Sequence, residues 1–267
     1  MTSSFGLGPS PGPDRLGRYV PLLQAFLEER AQLPGLAVLP AGTFSEVADG
    51  LAAGSLTFGW LSAATFARVE PSGTLRLLLQ AIRADSSRYY GVLFVRASAP
   101  VHTLGDLAGR RIAWVSRDSS AGYLLAAHAL AESGIRPGGE TFTGSHAAAV
   151  QAVAAGEADA GATFCSIDPR GKPNRIRSAG WTETVAVAGV AFRPVATFGP
   201  IPGDLLCAGP RTTYGERALF STAMARMHLH PEGARIVRGL FGADRFDVAL
   251  PGDLQLLREA AAGLGWH

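Results

Sequence analysis

Short apolar runs alternate with amphipathic segments along most of this chain, and that alternation predicts an α/β fold with parallel sheets. Three observations carry the prediction. The stretch from Arg111 to Thr163 reads as a β-α-β-α-β unit whose two helices stop at Gly134 and Gly156. The apolar runs are four to eight residues long and are bounded by Gly, Pro, Ser or Asp, as buried strands are. The chain has 267 residues, 47% of them hydrophobic and 17% charged, enough to bury a core in one large domain or two small ones.

In order, Phe5–Gly8 is the first expected strand and Gly8–Pro13 a Pro/Gly-rich loop. Asp14–Glu29 follows as a helix, because Tyr19, Leu22, Leu23, Phe26 and Leu27 share one face at helical spacing. Leu36–Leu39 is a strand, Ser45–Ala53 a short helix, Leu56–Leu61 a strand, and a further helix runs through Phe66. Two strands, Leu75–Ile82 and Tyr89–Arg96, flank the polar stretch Arg83–Arg88. Leu104–Leu107 is a helical turn, and Arg110-Arg111 a solvated turn before the next strand. The unit beginning at Arg111 contains strands Arg111–Val115, Glu140–Thr143 and Ala158–Thr163, with helices Gly122–Ser133 and His146–Ala155 between them. Beyond it the pattern loosens until the helices Tyr214–Met227, Pro231–Leu240 and about Asp253–Ala262.

Composition excludes several classes. Intrinsic disorder needs low hydrophobicity and high net charge, whereas 24 Lys+Arg against 22 Asp+Glu leave a net charge of +2. No basic run marks a nucleic-acid partner, and Lys172 is the sole lysine. Cys165 and Cys207 lie in apolar surroundings and read as small buried hydrophobes, with a single bridge between them as the alternative. No Cys or His falls at zinc-ligand spacing, so no metal or cofactor is expected. Apolar stretches break well short of the about 20 residues a membrane helix requires. The first eight residues lack the basic region and apolar core of a secretory signal, so the chain as written is expected in the cytoplasm. A periplasmic or lipid-anchored place is expected instead if a signal has been removed.

The sharpest local feature is Ser116-Arg117-Asp118-Ser119-Ser120-Ala121-Gly122-Tyr123, between a strand and a helix. Backbone N–H groups and the dipole at a helix start attract anions. Ser119 and Ser120 add hydroxyl donors, and Gly122 permits a close backbone approach. Plain N-capping by serine accounts for the same residues. Thr143-Gly144-Ser145-His146 sits at the next strand-to-helix junction, which a parallel sheet places on the same edge. His146 offers an imidazole donor there; a local backbone contact is its plainer role. Tyr90, beside Tyr89 at the start of a strand, offers a phenol, although one of two adjacent strand residues must face the core. Asp168, in Cys165-Ser166-Ile167-Asp168-Pro169, is placed to hold a cation or orient His146, or else forms an Asp-Pro turn. Phosphate-loop, nucleophile-elbow and dinucleotide motifs are missing, and no catalytic residue is assigned.

Four stretches share a known order and spacing: Leu104-Gly105-Asp106-Leu107-Ala108-Gly109-Arg110-Arg111-Ile112-Ala113, Asp118-Ser119-Ser120-Ala121-Gly122-Tyr123, Gly144-Ser145-His146 followed by Ala152–Ala162, and Gly199-Pro200-Ile201-Pro202-Gly203-Asp204. Through most of its length the sequence resembles the phosphate/phosphite/phosphonate-type substrate-binding proteins of ABC transporters, which have the type II periplasmic-binding-protein fold. The resemblance implies two α/β lobes, each a mostly parallel sheet flanked by helices, joined by two hinge crossings. One lobe would hold residues 1–84 and 189–267, the other 85–188. A small oxyanion would lie in the cleft and be enclosed by lobe closure, the closed form being read by a membrane permease. The family's anion ligands carry over to Ser119, Ser120, His146 and Tyr90, with Ala121, Gly122 and Ser145 in the same motifs. Two residues depart from the pattern. Ala121 replaces a serine, removing a hydrogen bond worth about 1.5–3 kcal/mol to a charged ligand. Phe66 stands where many relatives carry tyrosine, with Thr65 or Ser62 as compensating donors.

A monomeric receptor for a phosphonate, phosphite or phosphate is therefore the expected function. The cytoplasmic start keeps two others in view: an enzyme on the same fold, resembling chorismate dehydratase and using His146 or Asp168 as acid or base, and a cytosolic ligand sensor.

Overall fold

A computed structural model describes residues 3–9, 12–30, 33, 35–167, 176–184, 187, 189–250 and 254–266. The elements run β1 (Ser4–Leu7), α1 (Pro13–Arg30), β2 (Ala37–Pro40), α2 (Phe44–Ala53), β3 (Phe58–Leu61), α3 (Ala63–Val69), β4 (Arg76–Ile82) and β5 (Arg88–Arg96). Then come β6 (Arg111–Trp114), α4 (Leu125–Glu132), β7 (Gly139–Phe142), α5 (His146–Ala155), β8 (Ala160–Ile167), β9 (Ile176–Ala179), α6 (Gly180–Glu183) and β10 (Phe192–Pro202). The chain closes with β11 (Leu205–Ala208), α7 (Tyr214–Arg226), α8 (Pro231–Phe241), β12 (Arg245–Val248) and α9 (Gln255–Gly263).

Two compact units result: Met1–Arg88 with Pro202–Asp253, and Tyr89–Ile201 with Leu254–His267. The α/β class is borne out, with each unit built on its own sheet. The unit boundaries differ from those implied by the resemblance. β10 belongs to the second unit because it pairs with β5. The final helix belongs there too, because α9 packs on α4, where Gly263 leaves room for the His128 ring.

In the first unit the strand order is β12-β4-β11-β3-β1-β2. β1 pairs parallel with β2 and β3, while β11 runs antiparallel to both β3 and β4, and β12 antiparallel to β4. The sheet is thus mixed, because the strands that return late in the chain run against the earlier ones. One face carries Phe5, Phe58, Trp60, Leu79 and Phe246 against residues of α1, α7 and α8. Phe58 and Phe220 stack at 3.9 Å, and Phe5 meets Phe220 edge-on at 5.1 Å.

In the second unit the order is β10-β5-β8-β6-β7, with β9 on β8. The expected β-α-β-α-β unit is present: β6 pairs parallel with β7 on one side and β8 on the other. Alternation along the strands separates two apolar layers. Leu93, Ile112 and Trp114 pack with α4, and Phe94 and Ala113 pack with α5. Antiparallel pairing of β5 and β9 with β8 makes this sheet mixed as well.

Boundaries also moved. The helix expected from Gly122 begins instead as one wide turn of π geometry, Ser120–Leu124, before α4. β9, α6, β10, β11 and β12 lie where the sequence pattern gave no element. Cys165 and Cys207 are free and buried, one in each unit, so the reading as small hydrophobes holds. Burial pushes the Cys165 thiol up to about 12 and the Cys207 thiol well above its ordinary value. Among the described residues, no helix is long and apolar enough to cross a membrane.

Candidate functional site

The two junctions singled out in the sequence meet on the carboxyl edge of the second sheet. Beyond the last residues of β6 and β7 the parallel pairing continues: Thr143 N–H donates to Trp114 O at 2.9 Å and Gly144 N–H to Val115 O at 2.8 Å. The Thr143 hydroxyl also donates to Trp114 O. The loop before α5 is therefore pinned beside the loop that leads into the π turn.

At the first junction Ser119 is half-buried and its Oγ accepts the Gly122 N–H at 2.9 Å, so its capping role is realised. Leu124 N–H reaches back to Ser119 O at 3.0 Å, which widens the turn. Ser120 is buried at its first position. Ala121 is buried, with its backbone against β5: a Cβ at Gly91 would lie 3.0 Å from Ala121 O and 3.2 Å from its Cα. Gly122 faces Val115, whose side chain fills the space a Cβ would need. Arg117 brings a guanidinium to this loop, but it is stacked over Phe142 at 4.8 Å and donates to the Tyr123 hydroxyl at 3.2 Å. Tyr123 lies edge-on to Trp114 and stacks on Trp266. Desolvation raises its phenol pKa, so Tyr123 stays a neutral donor.

At the second junction Ser145 is exposed and caps α5 by accepting the Ala148 N–H at 3.1 Å. His146, half-buried, opens the helix. Its Nδ1 lies 3.0 Å from Thr163 Oγ1, and its ring meets Phe164 edge-on at 5.0 Å.

The other sequence candidates fall elsewhere. Tyr90 pairs with Cys165 and is half-buried against the cluster of Val92, Cys165 and Ala179; the strand register puts it on the same sheet face as Thr163. Ser62 and Thr65 belong to the first unit, where both are buried. Ser62 Oγ accepts Thr65 N–H at 3.1 Å and lies 2.9 Å from Thr65 Oγ1. Phe66 is buried beside them in sequence, as a core residue. Asp168 lies outside the described residues. Among the described residues, no group of His, Cys, Asp or Glu is arranged to hold a metal.

Sequence reasoning missed Thr163, Gly91 and Gly180. An isolated glycine inside the apolar strand Arg88–Arg96 was a usable signal of close backbone approach at Gly91. Nothing local marked Thr163, because its partner His146 is 17 residues away and meets it only through the sheet crossover.

Comparison with known proteins places these features in context. Residues 5–254 match the family described as the periplasmic substrate-binding protein of ABC phosphonate transporters. No curated protein matches the chain significantly. A Xanthomonas citri protein bound to chloride is 20% identical over 98% of this chain and 97% of its own, with a TM-score of 0.77. A phosphonate-binding protein of Prochlorococcus marinus in complex with methylphosphonate is 17% identical over 99% of this chain and 98% of its own, TM-score 0.76. The periplasmic aliphatic sulphonate binding protein of Escherichia coli is 17% identical over 100% of this chain and 92% of its own, TM-score 0.61. At these identities the likeness shows a shared fold.

Proposed function

Because the chain belongs to the phosphonate-type periplasmic substrate-binding proteins of ABC transporters, we propose that it is the receptor for a small oxyanion, a phosphonate, phosphite or phosphate, delivered to a membrane permease. The observation that carries this reading is the pinning of two helix starts side by side, Gly144 N–H to Val115 O at 2.8 Å. That contact gathers the hydroxyls of Ser119 and Ser120, the backbone of Ala121 and Gly122, the Ser145 cap and the His146 imidazole on one sheet edge.

Such a set binds through oriented dipoles. Partial positive charge at the two helix starts faces an anion without requiring a cation in contact. The cation of this loop, Arg117, is occupied by Phe142 and Tyr123 and acts as a brace. Neutral donors favour anions that can be stripped of water and matched hydroxyl by hydroxyl. We assign Ser119, Ser120 and His146 as the principal donors, with the Gly122 N–H held by Ser119 Oγ. Tyr90 is a further donor, and Tyr90→Phe tests it.

Isothermal titration and thermal-shift measurements with methylphosphonate, phosphite, phosphate, sulfate and acetate test this. One phosphorus oxyanion is expected to stabilise the protein strongly, by about 2.7 kcal/mol at a hundredfold excess over Kd. Ser120→Ala and His146→Ala should each weaken that ligand about tenfold or more. A protein stabilised by none of the phosphorus anions, or one that converts its ligand, overturns the receptor assignment.

A further inference from the structure

Thr163 is fully buried in β8, in a strand whose neighbouring positions are Ala160, Gly161, Ala162 and Phe164. A hydroxyl in such surroundings is costly unless it is bonded. Its Oγ1 lies 3.0 Å from His146 Nδ1. Space for that hydroxyl is left by Gly180, the first residue of α6: a Cβ there would fall on Thr163 Oγ1. The imidazole is also held edge-on by Phe164, with rings 84° apart. These two contacts, at Nδ1 and against the Phe164 ring, both hold the imidazole.

We propose that Thr163 is the positioning residue for His146: its hydroxyl donates to Nδ1, holds the ring in the Nε2–H tautomer, and so aims a neutral N–H donor at the anion. The chemistry follows from the inventory of the two groups. A neutral imidazole has one donor and one acceptor nitrogen, and the hydrogen bond at one nitrogen decides the other. With Nδ1 accepting from Thr163, Nε2 carries the proton. The role rests on His146 being an anion ligand, and it makes Thr163 and Gly180 part of the ligand selectivity without either touching the ligand.

The test uses the full chain with 15N-labelled imidazoles, read by NMR, together with titration of methylphosphonate and, separately, inorganic phosphate. The parent should show His146 as the Nε2–H tautomer. Thr163→Val should move the His146 nitrogen shifts toward tautomer averaging and weaken the anion about tenfold. Thr163→Ser, which keeps the hydroxyl, should restore both. Gly180→Ala, whose methyl group would fall on the Thr163 hydroxyl, should reproduce the valine result, and Thr163→Ala serves if the valine variant does not fold. His146 nitrogen shifts that ignore all these substitutions overturn the positioning role. Shifts that move while affinity stays constant overturn His146 as a ligand instead. A parent that binds neither anion sinks the receptor assignment, while the nitrogen shifts still decide what Thr163 does.

Discussion

The helix start at Ser62 in the first unit and the one at Ser119 in the second use the same local device. In each, a serine hydroxyl accepts the N–H three residues on, from Thr65 at 3.1 Å and from Gly122 at 2.9 Å. Their surroundings differ. At Ser62 the third residue also supplies a hydroxyl, 2.9 Å away, and both side chains are buried. At Ser119 the third residue is a glycine, the turn opens to π width, and β5 approaches so closely that Gly91 must lack a side chain. A second helix start, at Ser145, is pinned alongside. The comparison teaches that a capping serine locates a helix start without saying what the start is for. The width of the turn and the neighbouring loop decide that.

The largest expected effect that would break the comparison is at Gly122. Gly122→Ala puts a methyl group on the Val115 side chain and 2.8 Å from Ser119 Oγ. Overpacking of this kind costs about 1–3 kcal/mol. Chemical denaturation should show that loss, and titration should show methylphosphonate binding weakened along with it. A neutral result in both would mean that the junction tolerates an ordinary helix start.

Next come the two capping serines. Ser62→Ala removes a cap and leaves the buried Thr65 hydroxyl without that partner, an expected loss of about 1–2 kcal/mol. Ser119→Ala removes a half-buried cap and should cost about 0.5–1 kcal/mol. Affinity for methylphosphonate should fall more for Ser119→Ala than for Ser62→Ala, the reverse of the stability order. Identical ranking in both measurements would erase the distinction between the two starts.

The smallest effect concerns a third kind of helix start, at α7. Thr213 Oγ1 caps Glu216 N–H, and the Glu216 carboxylate accepts Thr213 N–H at 2.7 Å. That backbone hydrogen bond, with the Thr213 hydroxyl second, holds the Glu216 carboxyl below its ordinary range. A lowered folded-state value means the contribution is complete above the ordinary carboxylate range and fades as pH falls through the folded value. Denaturation midpoints compared with Glu216→Gln should therefore differ at neutral pH and converge in acid. The serine-only starts should show no such dependence of their own.

Legibility in the sequence was uneven for definite reasons. The β-α-β-α-β unit from Arg111 was readable because strands β6 to β8 and helices α4 and α5 follow one another locally, with glycines closing the helices at Gly134 and Gly156. β9, β10 and β12 were not readable. β10 carries no clean alternation, its residues being mostly half-buried, and β12 is a four-residue edge strand with an exposed end. The places of β10 and β12 are fixed by partners far away in sequence, β5 and β4. The final helix was readable as a helix while its packing against α4 was not, because amphipathicity reports that a face is buried and not against what. Among site residues, Ser119, Gly122, Ser145 and His146 stood out through their position between strand and helix. Thr163 and Gly180 could not, since a threonine inside a strand is ordinary until its hydroxyl is seen beside an imidazole.

By itself, then, the sequence determined the α/β class, the strand-to-helix junctions and the neutral, hydroxyl-rich character of the candidate anion site, because these follow from short-range periodicity and capping chemistry. Only the tertiary structure decided which junctions lie side by side, which serines are buried, that the turn at Ser120 is wide, and that the Thr163 hydroxyl lies beside the His146 ring. Those are contacts between residues brought together by crossovers and sheet register, and no local pattern encodes them.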